Sequence, residues 1–273
     1  MAIRIGNIWD STTDVLSGRA GMLMPVAAVA FLLPAALQAA IQAYGGTSPA
    51  AAGLGAVVSI VALVATLWGQ LTVIGIASDP DVTREQAAGA ARRRLGAALL
   101  VTLVVAAIFI LAVLPIVGAL LATGYDFRAA AAGAGSTGAT PMAPAAALFC
   151  ALYGLVLMVA GLWIGARLFV LSPVILHERR GIGAIARSVA LTRGLTLKLI
   201  GVALLLVVVY AVAALAAKFI VFLVFRLLLG VAHLATATWL GDVAAAAVSA
   251  VFSTAVAVFA ARLYAALTQP QGT

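Results

Sequence analysis

The sequence predicts an all-α, polytopic membrane protein, and three observations carry that prediction. Six apolar stretches fill the chain, each long enough to cross a bilayer, which takes about 20 mainly apolar residues. Hydrophobic residues make up 65% of the 273 residues and charged residues only 9%, against about 45–50% and 25% in soluble domains. Most of the basic residues fall in the gaps on one side of the six stretches. A water-soluble fold of this length could not clothe its surface with so few charges, so lipid has to cover much of the exterior.

The spans are expected at residues 22–44, 53–77, 98–123, 145–171, 197–222 and 243–267, within a single membrane domain covering residues 1–273. Each is expected to be helical, because hydrocarbon cannot satisfy backbone polar groups and a helix satisfies its own. Asp10 and Asp14 interrupt the N-terminus, and the first apolar run is too long for a signal-peptide core, so it reads as a retained span. The remaining length leaves no room for a globular extramembrane domain.

Charge orients the spans. The gaps on the N-terminal side hold Arg4, Arg19, Arg84, Arg92, Arg93, Arg94, Arg167, Arg179, Arg180, Arg187, Arg193, Lys198 and Arg262, and the opposite gaps hold only Arg128, Lys218 and Arg226. The excess of Lys and Arg in cytoplasmic loops then places both termini in the cytoplasm. An Ala-, Gly- and Arg-rich, Lys-poor composition points to a bacterial inner membrane. The net charge of +8 is read as this bias plus attraction to anionic headgroups. No nucleic-acid partner is expected, since no basic patch is interleaved with aromatics in a polar domain.

The connections differ in character. Residues 45–52 are short and uncharged and suit a tight hairpin. Residues 124–144 are rich in Ala, Gly, Ser and Thr and read as an outer loop, anchored at its start by Tyr125 and Phe127. On the basic side, Ser78-Asp-Pro-Asp81 turns the chain. Thr83 with Gln86 three residues later is a candidate capping box for a short helix running through Arg92-Arg93-Arg94. A second inner gap runs from Ser172-Pro173 to Lys198, where Ile182, Ile185, Ala186 and Val189 recur at helical spacing. The N-terminus has a similar pattern in Ile5, Ile8, Trp9, Val15 and Leu16. All three segments are expected to be amphipathic helices in the headgroup layer, each followed by two spans. The segment 218–240 has two readings: an extended fifth span reaching Leu229, or a bend into an interfacial or re-entrant helix. The bend is favoured, because a helix over 197–229 exceeds what the bilayer core requires.

Chemistry-bearing residues are sparse. None of the eight acids falls in the middle of an expected span, and His177 and His233 fall on opposite faces of the membrane. No metal-ligand spacing, cofactor fingerprint or hydrolase motif is present, so no catalytic residue, metal or cofactor is expected. Cys150 reads as a small buried apolar residue. Gln38, Gln42 and Gln70 are the most polar residues within spans, and read first as interhelical hydrogen bonders. Pro34 and Pro115 are expected to kink the first and third spans. Gly161-Leu-Trp-Ile-Gly165 permits close helix approach, within the chain before between copies, and Ser249 and Ser253 give the sixth span a similar small face.

The densest polar cluster contains Arg167, Glu178, Arg179, Arg180, Arg187, Ser188, Thr192 and Arg193. Glu178 is the one acid among these bases and is expected to pair with Arg167, Arg187 or Arg193, pinning the inner helix against the fourth span. The surrounding guanidinium groups match phosphate oxygens, so the cluster is the candidate contact for anionic lipid or a protein partner. Its sequence, Ala166-Arg-Leu-Phe-Val-Leu-Ser-Pro-Val-Ile-Leu-His-Glu178 followed by Gly181-Ile-Gly-Ala-Ile-Ala-Arg-Ser-Val-Ala-Leu-Thr-Arg-Gly194, resembles the membrane-domain family of glycerophosphoryl diester phosphodiesterases. The likeness lies in an Arg-bearing span end, a Pro, an acid and a short helix ending in Ser188-Val-Ala-Leu-Thr-Arg-Gly194. In fused members of that family catalysis is attributed to a separate barrel, and this chain has neither the length nor the His/Glu set for one. The resemblance therefore implies a non-catalytic membrane module. Two rival expectations remain open: a transporter or channel for a lipid-like or small molecule, with a cavity lined by Gln38, Gln42 or Gln70, and a membrane enzyme on lipid phosphodiesters, with His177 and Glu178 meeting another acid.

Overall fold

The computed structural model describes residues 5–46, 48–125, 143–178 and 181–268. Every regular element among them is helical. A short helix α1 (Ile5–Gly18) precedes α2 (Ala20–Tyr44), α3 (Pro49–Ser78) and α4 (Arg84–Ala122). Then come α5 (Pro144–Arg167), two short helices α6 (Leu171–His177) and α7 (Gly183–Leu191), and a long pair, α8 (Thr196–Leu229) and α9 (Leu234–Thr268). Six of these segments are long and apolar enough to span a membrane. The chain is an all-α, multi-pass membrane protein.

Local chemistry sets the boundaries. Ser48 caps α3 by accepting from the Ala51 N–H at 3.2 Å, with Pro49 at the first helical position, so the helix begins four residues before the expected start. Thr83 and Gln86 form the expected capping box: each side chain accepts from the other residue's backbone N–H. Asp79 accepts from the Asp81 N–H at 2.9 Å in the turn between α3 and α4. Pro34 has no N–H to offer the preceding turn, and Ala28–Leu32 there widens to a π-helix. Pro115 lies within an unbroken α4, and the Tyr153 hydroxyl donates to the Ala112 carbonyl beside it at 2.9 Å.

Four expectations are corrected. The basic segment 84–94 is not a separate interfacial helix but the start of α4. Its 39 residues extend to about 58 Å at 1.5 Å per residue, nearly twice the ~30 Å hydrocarbon core. The reason is a continuous face: Ala87, Ala91, Ala98 and Val101 are all buried, and a bend at Arg94 would unpack it. With that segment absorbed, the threefold pattern of inner helix plus two spans is lost.

The segment 218–240 does not bend. α8 continues to Leu229, Gly230 reverses the chain with φ of 74°, a value that favours glycine, and α9 returns alongside. The extra length is stabilised by pairing: Lys218 and Asp242 form an ion pair across the two helices. Gly241 lets them touch, since a Cβ there would lie 2.9 Å from the Lys218 carbonyl oxygen and 3.1 Å from the Phe222 Cβ.

The third correction concerns Ser172 and Pro173, expected in a surface gap. They belong to α6, whose Pro173, Val174 and Ile175 are buried against α3, α4 and α9. Finally, Gly161 and Gly165 make no close approach within the chain, because nothing lies within 4 Å of a Cβ built at either.

Packing centres on α9, which contacts α8, α3, α2, α1 and α6. Its Ala250, Ala257, Ala260 and Ala261 are buried along with Val258, Phe259 and Leu263. Helix α1 lies on it through Ile8, Thr12 and Val15, at i, i+4 and i+7, and the Trp9 and Phe259 rings stand 6.2 Å apart. Helices α4 and α5 are peripheral. Ile108, Phe109, Ile110 and Leu111 are consecutive and all exposed, as are Leu152, Leu155, Val156, Met158 and Val159, the all-round apolar surface of lipid-facing spans.

Replacing Gly241 with Val is expected to destabilise the protein by about 1–3 kcal/mol through overpacking at the α8–α9 contact. Gly118→Val, where the added carbon meets nothing within 4 Å, is expected to change little. Unfolding of both variants in one detergent checks the contrast.

Candidate functional site

The helix ends on the arginine-rich side are tied together by side chains that reach backbone carbonyls. Arg19 stands at the break between α1 and α2. Its Nη1 donates to the carbonyls of Ile76 at 2.5 Å and Asp79 at 2.8 Å, and its Nη2 to that of Pro80. The last carbonyls of a helix have no partner within the helix and carry partial negative charge, so a guanidinium there both satisfies and neutralises the end of α3. The sequence alone counted Arg19 only as one more positive charge.

Helix α7 has a face different from the expected one. Ile182 and Ala186 are exposed, while Ala184, Ser188 and Thr192 are buried. Ser188 and Thr192 each show 0% exposure; Ser188 donates to the Arg167 carbonyl at the end of α5 at 2.8 Å, and the Thr192 hydroxyl, 2.9 Å from the Ser188 carbonyl one turn back, lies 3.2 Å from the same Arg167 oxygen. Small hydroxyl side chains let α7 approach closely and supply the donors that this helix end lacks. Gly194, with φ of 88°, then turns the chain into α8. Ser188, Thr192 and Gly194 of the Ser188-to-Gly194 motif thus each have a structural use. The Arg167 guanidinium lies over the Trp163 ring, 4.4 Å from its centroid.

Glu178 and His177 join three further elements. Glu178 accepts from Arg187 Nε at 3.0 Å and from the Tyr264 hydroxyl at 3.2 Å, linking α7 to α9. Of the three partners expected for Glu178, Arg187 is therefore the one found, and Tyr264 adds a tie that spacing could not reveal. The His177 ring stacks on Tyr264, with centroids 5.6 Å apart and planes 9° apart. Its Nε2 lies 3.0 Å from Ser78 Oγ, which itself donates to the Ile74 carbonyl at 2.7 Å. With the Ser78 proton on the Ile74 carbonyl, the contact is satisfied by the tautomer of His177 that is protonated at Nε2.

Ser78 and His177 are within reach of each other, as a nucleophile and base are, but the proton runs the wrong way for activation. Among the described residues no group of three His, Cys, Asp or Glu side chains is placed to hold a metal. Arg179 and Arg180 lie outside the described residues, as do Arg4, Phe127 and most of the loop expected at 124–144. Arg193 is exposed, as are Arg92 and Arg93.

At the other end, Tyr44 donates to Thr236 at 3.1 Å and the Trp239 indole to the Ala36 carbonyl at 3.2 Å. Between the ends lies a cavity of about 430 Å³, bounded by α3, α8 and α9 and reaching Phe169 and Ser172. Gln70 lines it, with Tyr210, Ser249 and Ser253. Gln38 instead donates to Ser59 at 3.0 Å, and Gln42 is exposed.

A family model described as a domain of unknown function (DUF7847) matches residues 5–267. The chain belongs to the DUF7847 family. No curated protein and no solved structure matches it. The DUF7847 match takes in all nine helices described above except the last residue of α9, so the carbonyl ties at the arginine-rich end fall within the family domain.

Ser188 is the nearer donor to the Arg167 carbonyl, and the Thr192 hydroxyl, 3.2 Å away, can turn to it from the Ser188 carbonyl, so the two losses should not add. Ser188→Ala or Thr192→Val alone leaves one donor within reach and is expected to cost under about 1 kcal/mol. The double variant strands the Arg167 carbonyl and is expected to cost about 1–3 kcal/mol beyond the sum. Equilibrium unfolding of the four proteins as a double-mutant cycle checks this.

Proposed function

We propose that this DUF7847 protein is a non-catalytic membrane module that engages anionic lipid headgroups through its arginine-rich end. In this reading it resides in a bacterial inner membrane with both termini in the cytoplasm, and a protein partner or second copy is accommodated at the same surface. The observation that carries the reading is a division of labour among the arginines. Arg19 and Arg187 are committed to internal acceptors. Arg92, Arg93, Arg193 and Lys198 are exposed at the same end and form no ion pair with any described acid. Exposed guanidinium groups beside a bilayer find phosphate oxygens as bidentate partners, at roughly 1 kcal/mol per basic residue.

Two further points support the reading. The likeness of residues 166–194 to the glycerophosphoryl diester phosphodiesterase membrane domain implies a module without its own esterase. The Arg187–Glu178 ion pair supports the same reading, because it engages the one acid of this cluster in a structural contact.

The test compares lipid retention by native mass spectrometry. Reversing Arg92, Arg93 and Arg193 to Glu is expected to lower retained phosphatidylglycerol at least tenfold while phosphatidylcholine stays constant. Equal phosphatidylglycerol retention by both proteins would refute the headgroup reading. A reporter fused beside Arg93 that reads as external would refute the orientation.

A further inference from the structure

We propose that the cavity between α3, α8 and α9 binds an uncharged amphiphile: a hydrocarbon chain carrying a small hydroxyl- or ester-bearing head, as in a monoacylglycerol. The proposal is independent of the headgroup reading, which concerns the surface and not the interior.

Position comes first. By helical rise, Gln70 lies about 12 Å inside the arginine-rich end of α3, and Ser253 about 22 Å inside that of α9. Tyr210 and Ser249 lie near the midpoints of α8 and α9. The cavity therefore runs from one interface toward the middle of the hydrocarbon. Its volume of about 430 Å³ falls in the range of small-molecule sites, roughly 300–1,000 Å³.

Polar chemistry comes second. A hydroxyl on a membrane helix ordinarily donates to the carbonyl one turn back, and this protein follows that habit elsewhere. Thr12, Thr72, Ser78, Thr254 and Thr268 all do so, at 2.7–2.8 Å. Ser249 and Ser253, which flank Thr254's own acceptor Ala250, make no such bond. Gln70, Ser172 and Tyr210 likewise have no hydrogen-bond partner among the described residues. Polar groups left unpaired in hydrocarbon cost several kcal/mol each. Five such groups, each half-buried, line one cavity, and an occupant that brings donors and acceptors would pair them.

The walls settle the rest of the occupant. Phe169, Phe252, Leu206, Val207 and Val256 suit a hydrocarbon chain. No Lys, Arg, Asp or Glu lines the space, so a phosphate or carboxylate head would enter without a counter-charge, at prohibitive desolvation cost. A neutral head with two or more oxygens matches the amide and the four hydroxyls.

The experiment uses the full chain in liposomes and a diazirine-tailed 1-acylglycerol, alongside the fatty acid and lysophosphatidate with the same tail. Crosslinks are mapped by peptide mass spectrometry, so that lipids held at the arginine-rich surface are not counted. The acylglycerol is expected to label residues 206–210 and 249–256 at least tenfold more strongly than either anion. Gln70→Leu and Ser253→Leu are expected to cut that labelling about tenfold, and Tyr210→Phe and Ser253→Ala about threefold. The latter two remove only a hydroxyl, and they decide the matter should the leucine variants misfold. Labelling elsewhere, equal labelling by the anions, or labelling unchanged by Tyr210→Phe and Ser253→Ala would overturn the proposal. That would include a cavity filled by water alone. None of these variants alters an exposed arginine, so failure here leaves the surface reading standing.

Discussion

A backbone carbonyl at the end of a helix near hydrocarbon needs a donor that neither the helix nor the lipid supplies. The arrangement of this protein follows from meeting that need with side chains from other helices. Arg19 serves the end of α3. Ser188 serves the end of α5, with the Thr192 hydroxyl beside it. Tyr153 and Trp239 reach carbonyls inside α4 and α2. Each tie joins elements distant in sequence, so satisfying the backbone and assembling the tertiary structure are one event. Hydrophobicity cannot do this work between spans, because lipid tails are as apolar as the side chains they would replace.

The same economy explains the contrast between the two sides of the molecule. Around α9, small residues bring five neighbours close and the interior is filled. Where Ser249 and Ser253 line the space with Gln70, the filling stops and a largely apolar cavity with a few polar groups remains. At the arginine-rich end, Arg19 and Arg187 turn inward to carbonyls and a carboxylate, while Arg92, Arg93 and Arg193 stay exposed.

Much of this was legible from composition and period. Six spans, the capping box at Thr83, the turn at Asp79 and the amphipathic face of α1 all depend on local patterns of a few residues to a few turns. What was not legible depends on partners far along the chain. Arg19 carries no mark distinguishing it from Arg94, yet one closes a helix and the other lies along one. The buried face of α7 was misread because burial was assigned to Ile182 and Val189, whereas the tight approach to α5 favours Ala184, Ser188 and Thr192. The length of α8 misled in the same way: taken singly it exceeds the bilayer, but with α9 beside it the Lys218–Asp242 pair and the Gly241 contact hold the extra turns. Within the candidate site, the Glu178–Arg187 pair was within reach of sequence reasoning, while Tyr264 and Ser78, each more than eighty residues from its partner, were not.

Helix α5 buries only Ala166 along its 24 residues and packs chiefly on α4 and α8 among the spans. Its seat is therefore defined less by side-chain contacts than by the sideways squeeze of the surrounding acyl chains, with the knot at Arg167 acting as a tether at one end. A micelle exerts little of that squeeze. In detergent the α9-centred core is expected to hold while α5 is the span freest to shift, which makes bilayer thickness and fluidity structural variables for this protein.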